Sequence, residues 1–139
     1  MEPGLAVITA KESLKICFLC EVISRMELEY SELEGGIRLI KLTGKLDMEG
    51  TTSIRNQFSQ HCFGENVFVL VDLSRMTYLS SIGIPMLVSA AKMVASNNGR
   101  LAFLSPQPNV RSILDITGVS HIIRIYNEFE TAQERLQSD

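Results

Sequence analysis

Two adjacent hydroxyls, Ser80-Ser81, stand between an apolar run, Val67-Phe68-Val69-Leu70-Val71, and a helical pattern beginning near Gly83. An unbroken apolar run rich in β-branched residues reads as a strand covered on both faces. Its end then lies at the carboxyl edge of a sheet, where α/β proteins usually build their sites. A helix starting there carries roughly half a positive charge and unpaired N–H donors at its N-terminus. A phosphate ester on one of the serines would add about −1.5 to −2 charges beside those donors. The domain could hold that charge without unfolding, whereas a partner docked on the same surface would lose contact. The plainer reading is that one serine caps the helix, since Ser is a favoured N-cap residue. Pro85 lacks an N–H and fits only the first helical turn, so the regular helix starts near Ile82 or Gly83. On that reasoning Ser80 lies in the approach loop with an accessible hydroxyl, and Ser81 is the cap. Phospho-switch and simple cap both stand at this point.

Two other constellations carry chemistry on paper. Cys17-Phe18-Leu19-Cys20 has Cys-x-x-Cys spacing, and His61-Cys62 would complete a Cys₃His zinc set. No glycine bends either pair, and free cysteine packs readily as a small hydrophobe, so plain apolar cysteines are expected. Ser81, Asp115 and His121 follow the Ser…Asp…His order of the α/β-hydrolases. The nucleophile elbow needs Gly-x-Ser-x-Gly, and Leu79-Ser80-Ser81-Ile82-Gly83 lacks the first glycine. His121 runs straight into Ile122-Ile123 and reads as a strand-edge histidine. No metal, catalytic residue or cofactor is expected.

The elements that position the serines follow from periodicity. Met26–Leu33 and Ile37–Leu42 alternate polar and apolar residues across Gly35-Gly36, which predicts a β-hairpin. Thr43–Asp47 leaves the second strand, and Ile54 and Phe58 mark a helix over Thr51–Phe58. After the serines, Gly83, Met86, Leu87, Ala90, Ala91 and Val94 form a core-facing helix stripe. Ile84 and Val88 lie off that stripe and present an apolar strip beside the serines. Leu101–Leu104 is a strand, Val110 to Leu114 a helix ending at Gly118, Ile122–Ile125 the last strand and Glu128–Leu136 the last helix. The order β-β-α-β-α-β-α-β-α predicts one α/β domain with a mostly parallel mixed sheet, an antiparallel N-terminal hairpin and about four helices. Residues 1–25 read as an extension of unknown role before a domain over residues 26–139.

At 139 residues the chain can bury its own core. Its net charge of −3 and dispersed basic residues are unlike a nucleic-acid binder. Three cysteines, an odd number, fit a reducing cytoplasm rather than a disulfide framework. No apolar stretch in the sequence is long enough to cross a bilayer, so no direct membrane insertion is expected.

The stretch Val67–Leu73 followed by Met76-Thr77-Tyr78-Leu79-Ser80-Ser81-Ile82-Gly83-Ile84 resembles the signature of STAS domains of the bacterial anti-sigma factor antagonist family. Leu42-Thr43-Gly44-Lys45-Leu46-Asp47, Gly99-Arg100-Leu101 and Val110–Gly118 with Ile122–Tyr126 are similar to its other motifs. The resemblance spans Met26 to about Leu136 and implies a non-enzymatic protein that binds an anti-sigma factor serine kinase and frees a sigma factor. It implies phosphorylation at Ser80, or Ser81 as the alternative, and resetting by a serine phosphatase. It places Gly44, Asp47, Leu79, Ser80, Ser81, Ile82, Ile84 and Val88 at the partner surface. Leu79 and Ile82 stand where that family's motif has aspartate and glycine, and Pro85 sits early in the helix. The alternative implied role is a non-switching STAS subunit of a signalling scaffold or membrane transport complex.

Overall fold

The computed structural model describes residues 26–138. Cys17 and Cys20 lie outside the described residues. β1 (Glu27–Glu32) turns through a 3₁₀ segment (Glu34–Gly36) into β2 (Ile37–Leu46), followed by α1 (Met48–Cys62), β3 (Phe68–Leu79) and α2 (Gly83–Ser96). β4 (Arg100–Leu104), α3 (Pro108–Ile116), a second 3₁₀ turn (Val119–His121), β5 (Arg124–Tyr126) and α4 (Phe129–Ser138) complete the order. The five strands lie in sequence order, with β1 antiparallel to β2 and every later pair parallel. Each crossover therefore steps to the next strand in one direction. Because such connections are right-handed, their helices fall on one face of the sheet.

Burial divides the residues accordingly. Ile40, Leu42, Val69, Val71, Leu73, Leu101 and Phe103 pack with α1, α2 and α3 in the main core. Their neighbours in the pleat, Ile37, Leu39, Leu70, Ala102 and Leu104, pack under Ala132 and Leu136 of α4. Successive strand residues face opposite sides, so a strand covered on both must be apolar throughout. That accounts for the unbroken run at Val67–Val71.

β1 is the exposed edge. Only Leu28 leans on the core; Glu27, Glu29 and Glu32 all face water. Glu29 lies opposite Lys41 and Glu32 opposite Arg38, cross-strand pairings of opposite charge that favour this register. Gly35 and Gly36 both take φ of 81° in the turn, as glycine does at little cost.

β2 and β3 run further than periodicity indicates. Thr43–Leu46 stays paired instead of leaving the sheet, and β3 continues to Leu79. β3 carries an extra residue opposite the Lys41–Thr43 step and another opposite Gly44–Lys45. These bulges break the period of two, so Leu73, Met76 and Leu79 all reach the main core although they are three residues apart. Carbonyls at the bulges need other partners. Gln107 Nε2 donates to Ser74 O (2.9 Å) and Asn109 Nδ2 to Thr77 O (2.8 Å), which fastens the start of α3 to the bulged strand. α1 is also longer than the Thr51–Phe58 pattern, because Asp47 caps it and Cys62 extends its buried stripe. β5 is shorter and later than Ile122–Ile125, and Ile122 is exposed.

Gly99 brings α2 back to the sheet at close quarters. A β-carbon there would meet the Val67 carbonyl oxygen and lie 2.9 Å from Val67 N. Backbone cannot swing aside as a side chain does. Gly99→Ala is expected to destabilise the fold by about 1–3 kcal/mol, seen as a lower urea midpoint at unchanged slope.

Candidate functional site: the serine turn between β3 and α2

Leu46 and Leu79 are paired at the ends of β2 and β3, so α1 and α2 begin side by side at the carboxyl edge of the sheet. Two positive helix ends thus share one surface. Asp47 answers the first of them: its Oδ1 accepts from Gly50 N at 2.8 Å, making it the α1 N-cap. The second has no such answer. α2 starts from Ile82 with no side-chain cap.

The serine pair is therefore arranged in the reverse of the sequence expectation. Ser81 is exposed and does not cap α2. Ser80 is half-buried, and its hydroxyl donates to Leu46 O at 2.8 Å. The Ser80 N–H donates to the same oxygen at 3.1 Å, and Ser80 O accepts from Gly83 N at 3.1 Å, closing the turn. The cause is the extended β3. The strand delivers Ser80 directly beside Leu46, one step beyond the last sheet pair, where a strand-like N–H and a hydroxyl reach one carbonyl. Gly83 is buried against the same residue; a β-carbon on it would lie 2.7 Å from Leu46 Cγ and Cδ2. Pro85 occupies the first turn of α2, as its missing N–H requires.

The remaining expected surface residues divide. Leu79 is 1% exposed and belongs to the main core, so its side chain is unavailable to a partner. Gly44 is buried in β2, opposite the bulges of β3, with φ of 111°. Asp47 is half-buried and engaged as a cap. Ile84 and Val88 are half-buried against the core rather than forming an open strip. Ile82, by contrast, is 41% exposed in the turn. Met48 (63%) and Tyr78 (46%), which periodicity did not single out, are also exposed, at the start of α1 and near the end of β3. A signal was present: both are large apolar side chains immediately flanking the Leu46 and Leu79 ends. A groove of about 300 Å³ continues from Ile82 between α1 and α2, walled by Pro85, Met86, Met93 and Arg55.

The Ser81, Asp115 and His121 constellation is not assembled. Ser81 follows the C-terminal end of β3, whereas Asp115 and His121 precede β5, which runs parallel to β3; they lie toward opposite edges of the sheet. Ser120 and Arg111 hold the Asp115 carboxyl below its usual range by hydrogen bonding, on an exposed surface. Cys62 is buried and its thiol is pushed up to about 12, chiefly by that burial, so it stays protonated at neutral pH. His61 stacks on Tyr30, ring centroids 4.0 Å apart, beside Arg38, which donates to the carbonyls of His61 and Phe63.

The family model for the STAS domain matches residues 31–132. The chain belongs to the STAS domain family. This STAS domain is 22% identical over 114 residues to the anti-sigma F factor antagonist of Paenibacillus polymyxa, covering 81% of this chain and 95% of that protein. Its fold matches the crystal structure of an anti-sigma factor antagonist from Mycobacterium paratuberculosis, with a TM-score of 0.71 at 17% identity over 81% of this chain and 95% of that one. It also matches the anti-sigma factor antagonist SpoIIAA in its unphosphorylated form, with a TM-score of 0.68 at 21% identity over 81% and 98%.

Two expectations follow. Ser80→Ala removes a partly buried hydrogen bond and should cost about 1 kcal/mol, whereas Ser81→Ala should stay within about 0.5 kcal/mol of the parent; chemical denaturation of the pair separates them. His61 is held below its ordinary 6.5 first by burial and then by Arg38. The unfolded chain then binds more protons in the window below 6.5, so His61 contributes stability above that pH that is lost as pH falls through its folded value. His61→Gln should flatten the pH dependence of the thermal midpoint in that window.

Proposed function

We propose that this STAS domain is an anti-sigma factor antagonist: it binds an anti-sigma factor of the serine-kinase type, releases a sigma factor, and loses its hold when the serine turn is phosphorylated. The observation that carries the reading is the uncapped α2 N-terminus beside two serines and the exposed Met48, Tyr78 and Ile82. Exposed apolar side chains near a helix end that can take charge make a surface that phosphate can switch. The name of the Paenibacillus relative, matched over nearly its full length, supports the partner class.

Ser80 is the proposed acceptor, with Ser81 as the alternative. A phosphate on Ser80 must give up the hydroxyl bond to Leu46 O, because the ester oxygen can no longer donate. The charge would then turn outward toward the open amides of α2. Modification at Ser80 thus both adds charge and loosens the turn that presents Ile82; modification at Ser81 would add charge alone. A serine phosphatase restores the binding form. The protein acts in the cytoplasm as a binding switch and not as an enzyme, residues 26–139 forming the functional domain; among the described residues no helix is long and apolar enough to cross a membrane.

Incubation with a kinase-type anti-sigma factor and ATP, followed by mass spectrometry, should place phosphate on Ser80. Ser80→Asp should weaken the complex by tenfold or more, about 1.4 kcal/mol, and Ser80→Ala should bind yet resist modification. Phosphate on Ser81 alone moves the switch by one residue. Absence of phosphate from the pair, with full binding by Ser80→Asp, removes the switch and leaves a non-switching STAS subunit.

A further inference from the structure

α1 and α2 both begin at the carboxyl edge of the sheet, and each leads back to the start of a parallel strand, so they run side by side in the same direction. The groove between them, about 300 Å³, reaches the serine turn: Ile82, the residue after Ser81, and Pro85 stand in one wall and Arg55 in the other. Arg55 is exposed and lies seven residues after Met48, a rise of about 10 Å along α1. Side chains on a helix lean toward its N-terminus. That tilt carries the guanidinium back along the groove toward the serines.

Charge at this edge is unevenly placed. Asp47 caps α1 and Glu49 lies in its first turn, so the α1 end already meets negative charge. At α2 the N-cap is Ile82, whose side chain cannot accept a hydrogen bond, and the first turn carries no acid. An anion added between the two helices is therefore repelled from α1's end and drawn toward α2. Lys45 is a second cation near this edge, paired opposite Tyr78. Leu46 packs in the main core under the helices, and successive strand residues face opposite sides, so Lys45 projects from the other face of the sheet.

We propose that Arg55 is the counter-ion that captures a phosphate placed on the serine turn. This role rests on the serine switch proposed above and names the group that receives its charge. A guanidinium offers paired N–H donors that match phosphate oxygens, and Arg55 brings them from the helix across the groove. Phosphate on Ser80, released from Leu46 O, turns outward over Ile82 to the groove mouth; phosphate on Ser81 starts on the exposed side. Either way the anion is drawn between α1 and α2, so modification fills the groove as well as charging the surface.

The test encodes phosphoserine directly at position 80 of the full chain and, in a second protein, at position 81, so no kinase is needed. Phosphorus NMR titration at low ionic strength reads the second ionisation of the ester, which lies near about 6 without a partner. A nearby opposite charge favours the dianion. The ester in the folded chain should ionise about half a unit or more below the same ester in the urea-unfolded chain. Arg55→Gln should abolish most of that difference, and Lys45→Gln should leave it intact, with thermal midpoints checking that each variant is folded. Ser81 is not the residue tied to Leu46 O, so the second protein stays informative if phosphate at position 80 unfolds the turn. An ester that ionises alike in folded and unfolded chains at both positions, a shift unchanged by Arg55→Gln, or an equal loss from Lys45→Gln would overturn the role of Arg55. Kinase labelling of Ser80 without an Arg55 effect keeps the switch and removes the counter-ion; an Arg55 effect without kinase labelling does the reverse.

Discussion

One backbone oxygen governs the carboxyl edge of this STAS domain. The Leu46 carbonyl accepts both the N–H and the hydroxyl of Ser80, and the Leu46 side chain leaves room only for glycine at position 83. Asp47, the next residue, caps α1. The end of β2 thereby fixes where β3 stops, where α2 starts, and which serine is tied and which is free. An acceptor shared by two donors from one residue is loaded to its two lone pairs. Any chemistry at Ser80 therefore acts first on the joint between β2 and α2, and only then on the surface.

The same geometry explains residue 79. The bulges of β3 turn Leu79 into the main core, where an apolar side chain is stabilised by burial and an aspartate would be a buried charge. The acid that the anti-sigma factor antagonist motif carries before its serine has no place in this packing. Ile82 is the opposite case. It stands where that motif has a glycine, in a solvent-facing turn, and adds apolar area to the exposed surface.

Much of this architecture was legible in the sequence. The hairpin, the doubly covered strand, the α2 stripe and the helix start set by Pro85 follow from periods of 2 and 3.6 and from one missing N–H. The full length of β3 was not legible, since two bulges shift the phase and Arg75–Tyr78 then reads as connector. The roles of Ser80 and Ser81 were inverted for the same reason: reasoning from the helix end placed Ser81 at the cap, whereas the strand end claimed Ser80 for Leu46 O. Gln107 and Asn109 likewise read as ordinary loop polar residues until the bulge carbonyls they hold come into view.

The glutamates of β1 bear on how many copies of this protein can share a small volume. An edge strand offers open N–H and C=O groups to any other strand, and the nearest identical one belongs to another molecule. Glu27, Glu29 and Glu32 face water along that edge, so two such edges approaching each other meet negative charge on both sides. Zipping of copies into a continuous ribbon is opposed at low salt and less so once the charge is screened. Crowding can raise the concentration of this domain with less tendency to form a fibre, and ionic strength sets how far.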